Sequence, residues 1–146
     1  MSRAPLVPAV LVVDAHPGDA QVTVEALRRL RPEGRCEIAV SAEAALAALR
    51  AGPPPSLLLL DPQLPDGDGL ALLQRLKGDP DWRLMPVVVY ASASDEASVA
   101  RAYDLHANCY VSKPPRHEDY FGRLAALERF WFRTALLPTW LVRQPG

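Results

Sequence analysis

Ser56-Leu57-Leu58-Leu59-Leu60-Asp61-Pro62-Gln63-Leu64-Pro65-Asp66-Gly67-Asp68-Gly69 is the stretch that decides the fold. Ser56–Leu60 is apolar on both faces, ends in a carboxylate, and gives way to proline, glycine and aspartate. A short run of this kind, bounded by turn residues, suits a strand covered by helices on both sides, as in a parallel sheet. Working outward, Ala9–Val13, Pro86–Tyr90 and Cys109–Val111 read the same way, and Cys36–Val40 is a weaker fifth. Helical spacing fills the intervals. Pro17 opens the first helix, with Ala20, Val24 and Leu27 on one face. Ala42–Arg50 and Leu70–Lys77 follow, and Ser94 reads as the N-cap of a fourth helix whose Val99, Ala102, Tyr103 and His106 share a face. The last helix is expected from about His117 to Arg133. Strict βα alternation predicts one doubly wound parallel sheet, (βα)5, in which ligands bind at the carboxyl ends of the strands.

The 146 residues give room for one domain. Hydrophobic residues at 49% and charged residues at 23% match a folded chain with a core. Sixteen Lys+Arg against 17 Asp+Glu lack the basic excess that sequence-independent phosphate binding requires, so nucleic acid is not an expected partner. Cys36 and Cys109 have no metal or redox spacing, which fits a reducing cytoplasm. No apolar stretch reaches the ~20 residues of a membrane span, and the start has no cleavage-site pattern, so neither membrane nor export is expected.

The residues leaving the strands carry the chemistry. Asp14, Asp61 and Lys113 follow the first, third and fifth strands and converge on one edge. Two carboxylates near a lysine suit Mg²⁺, which uses one or two protein carboxylates together with water and phosphate oxygens. One carboxylate can also be a nucleophile toward phosphorus. The plainer alternative is that the aspartates cap neighbouring helices and Lys113 is a solvated loop charge.

Val12-Val13-Asp14, Leu57 to Asp61 with Leu64-Pro65-Asp66-Gly67-Asp68-Gly69, Pro86-Val87-Val88-Val89, and Tyr110-Val111-Ser112-Lys113-Pro114 resemble the signatures of bacterial response-regulator receiver domains. The resemblance covers residues 8–134 and leaves 135–146 as a C-terminal extension. Tyr103 to Tyr110 and Phe130-Trp131-Phe132 to Leu137-Pro138 are similar to the small stand-alone regulators partnered with bacterial and cyanobacterial phytochrome kinases. The resemblance implies a flavodoxin-like fold. It also implies that Asp61 accepts a phosphoryl group from a histidine kinase or a small donor such as acetyl phosphate. Asp14, the Asp61 carboxylate and the Gln63 backbone carbonyl would hold Mg²⁺, and Lys113 would pair with the phosphoryl group. Pro114 would follow a cis peptide bond that aims Lys113 inward, and Tyr110 matches an aromatic that turns inward on activation.

Three positions depart from that pattern. Ala15 stands where the family has a second, metal-ligating acid, which would leave two carboxylates against one lysine. Ala91 stands where a switching hydroxyl is usual; Ser92 is one position late and, by strand alternation, on the other face unless the chain bends. Pro62 has no N–H to offer a phosphate cradle. The leading expectation is an acceptor in a two-component relay, with Mg²⁺ held weakly. The alternative is a degenerate receiver that serves as a phosphorylation-independent interaction module. An aspartate-nucleophile phosphohydrolase is weaker, because a second acid two positions after the nucleophile is replaced by Gln63.

Asp66 to Gly69 lacks the acids of a calcium loop and reads as a tight turn. His16, His106 and His117 have no partner at metal-ligand spacing, and His16 is expected to cap the first helix. Phe130, Trp131, Leu136, Leu137 and Trp140 place large apolar groups where one small sheet cannot cover them, predicting a homodimer built on the last helix and its extension. The alternative is a tail folded back on its own domain.

Overall fold

The computed structural model describes residues 9–138. Five parallel strands form the central sheet: β1 (Ala9–Val13), β2 (Arg35–Ala39), β3 (Leu57–Leu60), β6 (Val87–Ala91) and β7 (Cys109–Ser112), in the order β2-β1-β3-β6-β7. Two further strands, β4 (Gln63–Leu64) and β5 (Gly67–Asp68), form a small antiparallel hairpin outside it. The helices α1 (Pro17–Leu30), α2 (Ala42–Ala51), α3 (Gly69–Gly78) and α4 (Glu96–Asp104) connect the strands of the central sheet, and α5 (Tyr120–Glu128) follows the last of them.

The apolar runs become strands because both of their faces are buried. Leu58, Leu60, Val87 and Val89 join Leu46, Leu49, Leu73 and Leu76 on one side of the sheet, and Val10, Val12, Leu57 and Leu59 join Val24, Leu27, Leu124 and Leu127 on the other. All four leucines of β3 are at most 2% exposed, so the central strand has no solvent face. The outer strand β2 is largely exposed, which explains its weaker apolar signal.

Local chemistry shifts several boundaries. Pro17 stands at the first position of α1, as expected. Asp95, not Ser94, caps α4, its carboxylate accepting from the Ser98 N–H. His106 does not extend the apolar face of α4. It lies at φ 72°, and bonds from the N–H of His106 to the Tyr103 carbonyl and from Ala107 to Ala102 close the helix in a Schellman motif. The expected last helix is divided into a 3₁₀ turn (His117–Asp119), α5, and a wider π turn (Arg129–Thr134).

The hairpin after β3 is more than the tight turn expected there. Pro65 and Asp66 form its corner, and Gly67 takes φ 130°. The Asp66 carboxylate accepts from the N–H groups of Ala42 and Glu43, each at 3.0 Å, and so helps cap α2. Those bonds hold the Asp66 carboxyl below its usual range. Asp68 caps α3 through the Leu70 N–H at 2.9 Å and pairs with Arg101 of α4. Gly69 is obligatory, since a Cβ there would lie 2.6 Å from the Pro62 Cα.

Candidate functional site

The turns after β1, β3 and β7 bring Asp14, Asp61 and Lys113 together at the carboxyl edge of the sheet. The Lys113 Nζ donates to Asp14 Oδ2 at 2.8 Å and to Asp61 Oδ2 at 2.6 Å, and all three side chains are at most 3% exposed. These groups are therefore neither simple helix caps nor solvated loop charges. The other Asp61 oxygen accepts from the Gln63 N–H at 2.9 Å, which orients the carboxylate.

Asp19, on the first turn of α1, also reaches Lys113, with its Oδ2 2.9 Å from Nζ. In the sequence Asp19 is an ordinary first-turn acid of a helix, with nothing local that pairs it with Lys113. Three carboxylates thus surround one ammonium, and the net local charge is about -2 rather than the -1 expected from the loss of an acid at Ala15. Burial works to raise the Asp19 pKa, but bonds to His117 and Lys113 outweigh it and hold the carboxyl below its usual range. Burial likewise works to lower the Lys113 pKa, and the carboxylates of Asp14, Asp61 and Asp19 reverse that and raise it.

His16 occupies the N-cap position of α1 but does not cap it with its side chain. Its ring Nδ1 lies 3.3 Å from Asp14 Oδ1 and 3.5 Å from Asp61 Oδ2, while its backbone N–H donates to Asp14 Oδ1 at 2.8 Å. His117 Nε2 lies 2.8 Å from Asp19 Oδ1. Two of the histidines given no chemistry in the sequence reading thus border the cleft. The missed signal was positional: the first turn of α1 begins at the strand edge where the cleft lies, so its polar residues face the same space.

The bond before Pro114 is trans, as is every peptide bond among the described residues, which corrects the cis expectation. The Lys113 N–H donates to the Ala91 carbonyl at 2.8 Å, and its ammonium is drawn inward by three acids.

Ala91 is buried and Ser92 is exposed just beyond β6. Tyr110 is half-buried, its hydroxyl donating to the Ala93 carbonyl and its N–H donating to the Tyr103 hydroxyl at 3.2 Å. Burial, with the charges of Asp95 and Asp61, pushes the Tyr110 phenol upward. At the far end of α5, Trp131 and Phe132 pack back onto the sheet face shared with Val24 and Leu124, whereas Phe130 is 50% and Leu136 99% exposed. Leu137 is half-buried, and Trp140 lies outside the described residues. No helix among the described residues is long and apolar enough to cross a membrane.

A five-stranded doubly wound sheet with two buried aspartates and a lysine at its carboxyl edge defines the class of signal-receiver domains. The chain belongs to the response regulator receiver domain family, whose model matches residues 10–125. It is 33% identical over 135 residues to the response regulator Rcp1 of Synechocystis sp., covering 88% of this chain and 92% of that protein. The Mn²⁺-bound structure of Rcp1 superposes with a TM-score of 0.83, covering 90% of this chain and 99% of that one. The phosphorylated cyanobacterial phytochrome response regulator RcpA, 32% identical, gives 0.85 over 90% of this chain and 98% of its own. The bacteriophytochrome response regulator AtBRR, 33% identical, gives 0.69 over 91% and 99%.

Proposed function

We propose that this chain is the phosphoryl acceptor of a two-component relay, that Asp61 is the acceptor residue, and that the donor is a histidine kinase of phytochrome type. The observation that carries the reading is the contact of Lys113 with Asp61 and Asp14, residues remote in sequence and buried together at the edge where this fold places its ligands. Likeness to the phytochrome response regulator RcpA and the bacteriophytochrome response regulator AtBRR supports the choice of kinase.

The Asp61 oxygen attacks phosphorus, the bond from phosphorus to the donor breaks, and the acceptor carboxylate becomes an acyl phosphate. Gln63 fixes the orientation of that carboxylate. Lys113, already beside it, neutralises the arriving oxygens. The donor set fits a hard divalent cation: Asp14 and Asp61 offer buried oxygens in a cleft of net negative charge, with the Gln63 carbonyl assigned as a further ligand. When bound, Mg²⁺ screens the repulsion between these carboxylates and the phosphoryl oxygens. Ala91, buried, and Ser92, exposed, are assigned to the switch position, and Tyr110 to its aromatic partner. The chain acts as an acceptor in the cytoplasm rather than as an enzyme turning over a substrate.

Incubation with Mg²⁺ and acetyl phosphate, followed by intact-mass measurement, tests the reading. The wild type is expected to gain one phosphoryl group and Asp61→Asn none. An unmodified wild type, with phosphorylation appearing only in the double replacement Ala15→Asp with Ala91→Thr, would instead establish a degenerate receiver acting as an interaction module.

The receiver spans residues 8–134, and the extension 135–146 contributes, with Phe130 and Leu136, to a homodimer. Exposure of those two side chains supports this assignment, while the inward packing of Trp131 narrows the surface available. Sizing at several concentrations should show a dimer that is lost on removal of residues 135–146; a monomer in both forms refutes it.

A further inference from the structure

Ala15 removes an oxygen ligand from the cleft, and the neighbouring side chain enters the space beside it. His16 Nδ1 is 3.3 Å from Asp14 Oδ1 and 3.5 Å from Asp61 Oδ2. Adjacent ligand atoms on an octahedral ion with bonds of ~2.1 Å are ~3.0 Å apart, so the imidazole nitrogen already stands close to ligand spacing from both carboxylates. Donor atoms of Asp14, His16, Asp19 and Asp61 all lie within 4.8 Å of one another. The His16 side chain makes no capping bond to α1, so its position is not explained by the helix it precedes. Its backbone N–H is anchored on Asp14 Oδ1 at 2.8 Å, which ties the ring to the cleft.

We propose that His16 Nδ1 replaces the missing acid at position 15 as a cation ligand, giving the cleft a mixed nitrogen and oxygen donor set that favours later first-row transition ions over Mg²⁺. The inference rests on the reading that Asp14 and Asp61 form the divalent-cation site of the receiver. Imidazole is a borderline donor that suits ions such as Co²⁺, Ni²⁺ and Zn²⁺, whereas Mg²⁺ prefers oxygen and gives up water reluctantly. Asp19, held by Lys113 and His117, contributes negative charge to the cleft.

The test uses the full chain and two readouts. Calorimetric titration with Co²⁺ and with Mg²⁺ gives the ratio of affinities, and pulsed EPR of the Mn²⁺-loaded protein reports a directly coordinated nitrogen. His16→Asn is expected to lower the Co²⁺ to Mg²⁺ affinity ratio by about tenfold or more and to remove the nitrogen signal. His117→Gln, which alters the other histidine at the cleft, is expected to retain the signal. A wild type without a nitrogen signal, or a signal and ratio that survive His16→Asn, overturns the proposal. Where Asp61→Asn weakens both cations but His16→Asn leaves the ratio intact, only the His16 assignment fails. Equal binding to wild type and Asp61→Asn would remove the cation-site reading as well.

Discussion

Replacing Lys113 with methionine is expected to lower the stability of the fold by about 3–5 kcal/mol at neutral pH, the range found when one partner of a buried ion pair is removed. Methionine keeps much of the apolar stem and deletes the charge. The Lys113 side chain is 1% exposed, and its ammonium is the common partner of Asp14, Asp19 and Asp61. Without it, three carboxylates crowd one cleft with no compensating cation from the chain. Two companion measurements separate this cause from a packing defect. Adding Asp61→Asn to Lys113→Met should recover part of the loss, because one of the opposed charges is gone. A divalent cation should also stabilise Lys113→Met more than the wild type, since the ion takes over the neutralisation that lysine supplied; saturation at a hundred times Kd contributes about 2.7 kcal/mol by mass action. Chemical denaturation with and without Mg²⁺ measures both. A Lys113→Met midpoint equal to that of the wild type would contradict the electrostatic account.

Glu128→Ala is expected to cost roughly 2–4 kcal/mol, for a related reason at the opposite end of the molecule. Glu128 is 3% exposed at the end of α5 and accepts from Arg31, just beyond α1, at 3.1 Å, with Arg133 of the π turn at 3.2 Å. Arg31 also lies over the Phe132 ring, 4.5 Å from its centroid. One carboxylate therefore joins α1, α5 and the turn that follows. Its removal leaves the Arg31 guanidinium, 23% exposed, without that anion, and frees Phe132 from the pair that positions it. Arg133→Ala should have a much smaller effect, because its side chain is 65% exposed and solvent already screens it. Thermal or urea unfolding of the two variants side by side checks the order; equal losses would refute the assignment of Glu128 as a buried anchor.

The parts legible in the sequence were those with a period or a strand-end position. Leu57 to Leu60 announced a strand buried on both faces, and once such strands are parallel, Asp14, Asp61 and Lys113 must share an edge. Asp19 and His16 were harder to place. Propensity rules treat the first turn of a helix as a capping problem, and they do not say that a side chain will cross to a lysine on a different strand. The Glu128 to Arg31 pair was invisible because nothing local in either segment signals the other, 97 positions away. The hairpin of β4 and β5 was also missed, since two-residue strands are too short to carry alternation. The acids that surround the Lys113 ammonium come from segments remote from it in sequence, the ends of β1 and β3 and the first turn of α1.

The hairpin beyond Asp61 has a mechanical meaning. Its first residue holds the Asp61 carboxylate through the Gln63 N–H, its corner is pinned to the start of α2 by Asp66, and its last residue is fastened to α4 by the Asp68 pair with Arg101. The strap thus ties the loop that carries Asp61 to the start of α2 and to α4. None of these fastenings involves position 91.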